Sequence, residues 1–395
     1  MDFPKTVSID SCEAFLAKLA SQTDINTLTL PVGTASYAFG GLASAIQAVN
    51  SWSRQSNSRV LDLNASDVKD VVEDLIQRPH KFVAAMSAKS IAKADQSEFD
   101  LRPQVNAAAK SAIEEQTKHL FGQQRGGLCW FAFVDHSSKG FDRNFYIERN
   151  DSNPEPRQVA QINAVIKAMV GKAIDVAGGA KPLEGEEQDL LGRLFFELFL
   201  NTHEHGSRGH SRNEWLKPAT RVIYVNAINL TETGGNDAIK KQPILTGYVD
   251  AAVKKYDGNK KKRFVEIGIV DAGLGYCERW LADHPSERLE ANIPIDLEYK
   301  IFEKCFAFHQ TSTNRDSKGN GLPIVLDRLS KLGGFMRVRS GRLSLYRDFL
   351  KSPFDVGQSP VFFDWNSGQL FSGTSALMPP AVGVAITLLI PLEAK

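Results

Sequence analysis

The chain has 395 residues, of which 42% are hydrophobic and 24% charged, and its formal net charge is +1. These proportions exclude wholesale disorder and favour a globular protein with room for two domains. The near-neutral charge argues against bulk attraction to nucleic acid or to a membrane surface. The four cysteines are far apart and form no C-x-x-C pair, which favours reduced thiols over disulfides or a zinc site. The N-terminus has no apolar signal core and no apolar run is long enough to span a bilayer, so we expect a cytoplasmic protein without a membrane partner.

The first 150 residues alternate between strand and helix patterns. The segments "INTLTLPV" and "SRVLDLN" are typical of strands, and "GGLASAIQAVNSWSRQ" between them is typical of a helix. A helical stretch over 103–119 and a strand-like "LCWFAFVDH" follow. This alternation predicts a small α/β domain. Over residues 24–64 the pattern resembles STAS regulatory domains, which implies a regulatory or interaction role for residues 1–150.

A polar segment with two prolines, residues 148–158, separates this region from the rest, so we predict a second domain over 155–395. Its helices are predicted at "QVAQINAVIKAMVGKAIDV", around "ELFLNTHEHG" and at "GNGLPIVLDRLSKLGG". Its strands are predicted at "RVIYVNAINL", at "RFVEIGIV", in the hairpin "FMRVRSGRLSLY" and at "AVGVAITLLIPL". Residues 276–318 make a connection far longer than the usual about 4–6 residues, which is typical of a functional lid.

Two acidic residues and an asparagine share one face of the helix that contains "ELFLNTHEHG". Glu197, Asn201 and Glu204 are at positions i, i+4 and i+7. The adjacent arc is apolar and contains Leu191, Leu194, Phe195 and Leu198. If that arc packs on a sheet, the polar stripe lies beside the contact and faces a cleft. The alternative is a solvated stripe on an amphipathic helix, which an isolated E-x-x-x-N would favour.

A second motif, "DAGLG", ends a predicted strand. Val265, Ile267, Ile269 and Asp271 share strand parity, so Asp271 should end the apolar face and point inward. Two glycines at 273 and 275 follow, as if a ligand approached the backbone closely. A carboxylate placed there suits a hydrogen bond from a ligand amine, and an ordinary turn aspartate is the alternative.

A third motif, "SKGNGLPIV", leads into a helix. Gly319 and Gly321 precede free helical N–H groups that favour an anion, and Lys318 stands just before them. A lone G-x-G is equally compatible with an ordinary glycine-rich helix start. The three motifs in this order are more specific than any one of them.

From about residue 155 to its end, the chain resembles the GHKL ATPase superfamily. "ELFLNTHEHG" is similar to the N box of that family, "DAGLG" to its D-x-G-x-G box and "GNGLPIV" to its G-x-G-L box. The segment "IFEKCFAFHQTSTNRDSKGNGL" is similar to the lid of the kinase and anti-sigma-factor branches. The resemblance implies an α+β fold, the two-layer α/β sandwich of the Bergerat type. Its mixed, mostly antiparallel sheet would be covered on one face by helices, with ATP bound between the helices and the sheet.

The resemblance also implies a role for each motif residue. Glu197 would orient and deprotonate the attacking water. Asn201 would bind Mg²⁺ through its side-chain oxygen, Asp271 would accept a hydrogen bond from the adenine amino group, and Glu204 would be a secondary, water-mediated ligand. The remaining nucleotide contacts would come from the backbones of Gly273, Gly275, Gly319 and Gly321, from Lys318 and from the helix beginning near Leu322.

Two positions depart from the family pattern. Thr202 follows the asparagine where a small residue is usual, and Val384 follows Gly383 where threonine is usual. The second departure questions an expected hydroxyl contact near the adenine. Three histidines near the N box, His203, His205 and His210, suggest a metal site as an alternative, but H-x-H suits a strand better than a helix. The basic run "KKYDGNKKKR" lacks an aromatic platform, so we expect no nucleic-acid partner.

Three functions remain open at this point. The first is a slow Mg²⁺-dependent ATPase that acts as a conformational switch through its lid. The second is a protein kinase of the anti-sigma-factor or histidine-kinase type, and the third is a nucleotide-binding regulator that does not hydrolyse ATP. Glu197 favours hydrolysis. In each case we expect a protein partner or a homodimer contact through the N-terminal domain or the lid.

Overall fold

The computed structural model describes residues 1–23, 25–33, 39–63, 68–93, 100–137, 140–147, 155–230, 239, 241–256, 262–288, 292–307, 321–373, 375 and 377–393. All structural statements concern these residues. Two predicted site residues, Lys318 and Gly319, lie outside them.

A three-stranded parallel sheet lies in the N-terminal part of the chain. Its strands are β1 (Thr27–Leu30), β2 (Val60–Leu63) and β3 (Ser90–Lys93), in that spatial order. The helices of this part are α1 (Ile9–Ala20), α2 (Gly41–Gln55), α3 (Val68–Ile76), α4 (Pro79–Ser87) and α5 (Arg102–Lys118). Parallel strands need crossover connections, and α2 lies in the one between β1 and β2. The predicted strand–helix–strand arrangement over residues 24–64 is therefore confirmed.

The second sheet has eight strands, in the order β10-β9-β8-β11-β7-β6-β5-β4. They are β4 (Gln123–Arg125), β5 (Leu128–Val134), β6 (Thr220–Leu230), β7 (Lys262–Val270), β8 (Phe335–Gly341), β9 (Leu343–Asp348), β10 (Phe363–Asp364) and β11 (Ala381–Pro391). The α+β class is confirmed, and so are the predicted strands and the hairpin of β8 and β9. Every pairing among the described strands of this sheet is antiparallel, where the sequence predicted a mixed, mostly antiparallel sheet.

Strands β4 and β5 belong to the large sheet although they precede the predicted domain boundary at residue 150. β5 pairs with β6 from Leu128 opposite Asn226 to Val134 opposite Thr220. All of β5 is buried, because the sheet is covered on both faces. This pairing joins segments about ninety residues apart, and no local pattern of the sequence indicates it. The large sheet therefore begins near residue 123.

Helices cover both faces of the large sheet. On one face α6 (Val159–Ala177), α7 (Gly185–His205) and α11 (Gly321–Lys331) form one core with the inward residues of β7. On the other face lie α2 and α8 (Pro243–Tyr256). The sequence predicted helices on one face only, because periodicity shows that a helix has a buried side but not which element covers it. No helix in the described ranges is both long and apolar enough to cross a membrane.

The predicted lid segment is mostly helical where it is described. It contains α9 (Tyr276–Asp283), a 3₁₀ turn (Pro285–Glu287) and α10 (Ile295–Phe306). Phe302 and Phe306 are fully buried, and each ring centroid is 5.4 Å from that of Tyr276. Residues 276–306 are thus folded mainly into helices, because these aromatic side chains pack into the core. Residues 308–320, which include Phe308 and the polar end of the predicted lid, lie outside the described ranges.

Candidate functional site

Helix α7 places the three predicted polar residues beside the core. Acidic residues in its first turn suit the helix dipole, and Gly206 follows its last residue. Its apolar arc is buried against the sheet, whereas Glu197, Asn201 and Glu204 are each only partly buried. The polar stripe therefore borders the helix–sheet contact, as the sequence predicted.

Asn201 is held by its own helix. Its Nδ2 donates a hydrogen bond to the carbonyl oxygen of Glu197 at 3.0 Å. Within the described parts of the chain, no group donates a hydrogen bond to Oδ1 of Asn201. The amide oxygen is therefore available to a ligand outside the protein.

Glu197 is a partly buried carboxylate beside an arginine. Its side chain is 14% exposed, and the Arg193 Nε lies 3.4 Å from Oε1. Burial raises the pKa of Glu197 above its ordinary value, although the Arg193 charge partly opposes the shift. A carboxylate with a raised pKa is a stronger base. The positive charge of Arg193 favours the ionised form of Glu197 and so limits the rise of its pKa.

The start of α11 lies against this pair of side chains. A Cβ on Gly321 would stand 3.0 Å from Oε2 of Glu197 and 3.9 Å from Nδ2 of Asn201. The next residue, Leu322, is buried in the core shared with α7. The third motif thus meets the first one, and glycine at 321 allows that close approach.

Asp271 lies at the end of β7, on the core side. Val265, Ile267 and Ile269 belong to the core beneath α7, and Asp271 continues their parity, as predicted. Its Oδ1 accepts hydrogen bonds from the backbone N–H groups of Gly273 (2.9 Å) and Val384 (3.2 Å). Burial raises the pKa of Asp271 to about 7, with these two hydrogen bonds acting in the opposite direction.

The second oxygen of Asp271, Oδ2, could accept a hydrogen bond from a ligand. Among the residues that the structure describes, none donates a hydrogen bond to Oδ2. The residue is only 7% exposed, so an incoming donor would meet a carboxylate with little competing water. This arrangement fixes one oxygen and leaves the other to recognise a hydrogen-bond donor.

The glycines after Asp271 are required by contacts inside the protein. A Cβ on Gly273 would lie 2.6 Å from the carbonyl oxygen of His205, the last residue of α7. Gly275 has φ +81°, and a Cβ there would lie 2.9 Å from the Ser340 Oγ. The tight turn therefore packs on the end of α7 and on β8, which brings the second motif to the first.

A buried ion pair between Arg221 and Asp135 lies next to α7, and it was not predicted from the sequence. The guanidinium of Arg221 donates to both oxygens of Asp135, at 2.6 and 2.8 Å, and to the Tyr146 hydroxyl at 3.0 Å. Its Nη1 also lies 3.4 Å from the Thr202 hydroxyl, next to Asn201. Burial alone would lower the pKa of Arg221, yet the Asp135 carboxylate raises it above its ordinary value. These residues lie on β6 and after β5, so only the sheet pairing could have revealed them.

The histidines near the end of α7 do not form a metal cluster. The Nδ1 of His203 lies 3.3 Å from the Tyr146 hydroxyl, and burial lowers the pKa of His205 to about 4. The Nε2 of His205 lies 3.9 Å from Oε2 of Glu204, which is 28% exposed. Within the described ranges, no group of three or more His, Cys, Asp or Glu side chains is arranged to hold a metal ion.

A cavity of about 490 Å³ lies next to the glycine turn but outside this constellation. It is lined by residues of α9, α10 and the β8–β9 turn, among them Leu274, Cys277, Glu298, Ser340 and Arg342. Burial raises the pKa of Cys277 to about 12, which keeps that thiol protonated at neutral pH. Neither Asp271 nor Glu197 lines this cavity.

Comparison with protein-family models, with curated proteins and with solved structures gives no match for this chain.

Proposed function

We propose that the chain is a GHKL-type ATPase that binds ATP with Mg²⁺ at the junction of α7, the Asp271 turn and the start of α11. One observation supports this most directly. Three motifs separated by about fifty to seventy residues meet within van der Waals distance, through Gly273 against His205 and Gly321 against Glu197. Each motif alone has an ordinary structural explanation, and it is their juxtaposition that supports the proposal.

Adenine recognition is assigned to Asp271. Its Oδ2 would accept a hydrogen bond from the adenine amino group, while Oδ1 stays bonded to the backbone of Gly273 and Val384. At the position of the family's hydroxyl contact, this chain has Val384. The described hydroxyl nearby in β11, Thr387, lies on the N-terminal side of the sheet, since a Cβ on Gly40 would stand 3.5 Å from its Oγ1. Selectivity for the base would therefore depend mainly on Asp271.

The residues present suit a magnesium ion. Mg²⁺ prefers oxygen ligands and keeps several waters, so one protein oxygen together with phosphate oxygens is enough. Asn201 would hold the ion through its Oδ1, since its Nδ2 already donates a hydrogen bond to the Glu197 carbonyl oxygen. When bound, the ion would neutralise phosphate charge during hydrolysis.

Glu197 would act on water. It would take a proton from the attacking water as the oxygen forms a bond to the γ-phosphorus, and the bond between that phosphorus and the leaving oxygen of ADP would break. Glu204, one turn further along α7, would contact the nucleotide through water. The Lys318–Gly319 part of the third motif keeps its proposed phosphate role, and Leu322 fixes the start of α11 by burial in the core.

We further propose that the protein works in the cytoplasm as a slow switch whose lid and N-terminal part contact a protein partner or a second copy of the chain. The test is incubation of the purified chain with γ-labelled ATP and Mg²⁺. Release of labelled phosphate supports the ATPase, label on protein would identify a kinase instead, and tight binding without either would identify a non-hydrolysing regulator. Failure to bind ATP at all would refute the proposal.

A further inference from the structure

Helix α2 of the N-terminal part packs on β11 and, less extensively, on β7, on the face of the sheet opposite α7. At its first end, the backbone N–H of Gly40 donates to the Glu266 carboxylate at 3.2 Å. At its last turn, Arg54 reaches the residue that follows Asp271. The two ends of α2 therefore contact the middle of β7 and the turn that follows β7, where the proposed adenine site lies.

One face of α2 is polar although it is turned toward the sheet. Gln47, Asn50, Ser51 and Arg54 are at i, i+3, i+4 and i+7, and the first three are fully buried. Gln47 donates to the carbonyl oxygens of Arg339 (3.0 Å) and Val382 (3.2 Å), and Ser51 accepts from the Val382 N–H at 3.0 Å. A buried polar face is costly unless its hydrogen bonds are made, so it specifies how α2 is placed on the sheet.

Two of these side chains bind the backbone of the proposed adenine site. The Nδ2 of Asn50 lies 3.4 Å from the carbonyl oxygen of Asp271, and Nη2 of Arg54 lies 2.8 Å from that of Ala272. The same two groups bond to the backbone at the start of β6, at Thr220 (3.4 Å) and Pro218 (3.2 Å). They therefore tie the turn after β7 to its neighbouring strand.

The position of the Asp271 carboxylate depends on the position of the backbone around it. Its Oδ1 is bonded to the N–H groups of Gly273 and Val384, so the side chain has little freedom to compensate for a shift of the main chain. A hydrogen bond to a ligand weakens steeply when its distance or angle departs from the optimum. The position of α2 should thus determine how well Oδ2 meets an amino group.

We propose that Asn50 and Arg54 are positioning residues, through which the N-terminal part of the chain sets the preference of the site for a base that carries an amino group. This inference rests on the proposed function. A partner that displaces α2 would change nucleotide affinity, and by reciprocity the nucleotide would change affinity for that partner. Couplings of this kind are typically about 5–150-fold.

The test compares ADP with inosine diphosphate, which has a carbonyl oxygen in place of the adenine amino group. Affinities of both are measured by calorimetry for the full chain and for Arg54→Ala, Arg54→Lys and Glu13→Gln. Glu13→Gln is the matched control, because Glu13 of α1 pairs with Arg337 and Arg339 at the same interface but away from Asp271. Inorganic tripolyphosphate serves as a probe of the phosphate side alone.

We expect the wild-type chain to prefer ADP at least about tenfold, and Arg54→Ala to reduce that preference at least about fivefold. Arg54→Lys keeps one charged donor and should restore part of it, whereas Glu13→Gln and tripolyphosphate binding should be unaffected. If Arg54→Ala does not fold, the intermediate preference of Arg54→Lys decides the question. An unchanged ADP preference in the folded Arg54 variants overturns the inference alone. A wild-type chain that does not bind ADP overturns the proposed function together with it.

Discussion

Gly383 of β11 lies directly on the backbone of Asp271: a Cβ at position 383 would stand 2.1 Å from the Asp271 carbonyl oxygen. The φ angle of Gly383 is +67°, a conformation that costs other residues about 1–2 kcal/mol. Gly383→Ala should therefore lower the free energy of unfolding by at least about 2 kcal/mol and displace the carboxylate. Urea unfolding and ADP calorimetry measure the two effects.

Gly171→Ala is the control for this change. Gly171 lies inside α6, and no described atom lies within 4 Å of the position of its Cβ. Alanine there should be neutral or stabilise by about 0.5–1 kcal/mol. If both variants unfold like the wild type, Gly383 does not hold Asp271 in place.

Asp271→Asn should weaken nucleotide binding without loosening the fold. Asparagine keeps an Oδ1 that accepts from Gly273 and Val384, but it places an amide donor where Oδ2 was. That donor would face the adenine amino group, at a cost of about 1–3 kcal/mol. Calorimetry with ADP measures the loss, and the unfolding midpoint checks the fold. Equal affinities in variant and wild type would exclude Asp271 as the adenine residue.

The same substitution predicts a pH dependence of stability. Because burial raises the pKa of Asp271 to about 7, from 3.8, the folded state binds its proton more tightly than the unfolded state. The stability that this proton contributes is fully present below pH 3.8 and is lost as the pH rises through 7. Between pH 5 and 7, the wild type should therefore lose up to about 1.4 kcal/mol per pH unit relative to Asp271→Asn, and nothing further above pH 8. Glu266, whose pKa burial also raises to about 7, is present in both proteins and cancels in the difference. A difference in unfolding free energy that does not vary with pH would show that Asp271 titrates normally.

Local patterns were enough to predict the parts of the site that lie within one element. Period two along β7 placed Asp271 on the core side, and period 3.6 along α7 placed Glu197 and Asn201 on one face. The faces on which those side chains lie could therefore be predicted before any contact between elements was known.

The parts that were missed depend on contacts between distant segments. The Asp135–Arg221 ion pair exists only because β5 pairs with β6, and the contact between Arg54 and Ala272 exists only because α2 covers the sheet. Neither α2 nor β5 contains a residue pattern that identifies its partner. The glycine turn shows the same limit: its glycines suggested a ligand, whereas contacts with His205 and Ser340 already require them.

Glu197→Gln should lower ATP turnover by about 10²–10⁴-fold and leave nucleotide affinity unchanged. Glutamine keeps the volume that Gly321 packs against, but it cannot take a proton from water. Phosphate release and ADP calorimetry separate the two effects. Arg193→Ala is the matched control, because it removes only the neighbour of Glu197 at 3.4 Å and keeps the carboxylate. It should retain most of the turnover at pH 8, and a Glu197→Gln variant as active as the wild type would exclude Glu197 as the base.

Asn201→Ala should weaken ATP binding only when Mg²⁺ is present. The Oδ1 atom that the substitution removes is the one available to a ligand, whereas Nδ2 is bonded to the Glu197 carbonyl inside α7. Loss of one metal ligand should reduce the affinity for ATP with Mg²⁺ at least about fivefold, and binding measured with EDTA should be the same in both proteins. Asn201→Asp supplies the comparison, because it keeps an oxygen at this position and should retain the dependence on Mg²⁺. Equal weakening of Asn201→Ala with and without the ion would mean that Asn201 contacts the nucleotide or supports the helix, and does not bind the metal.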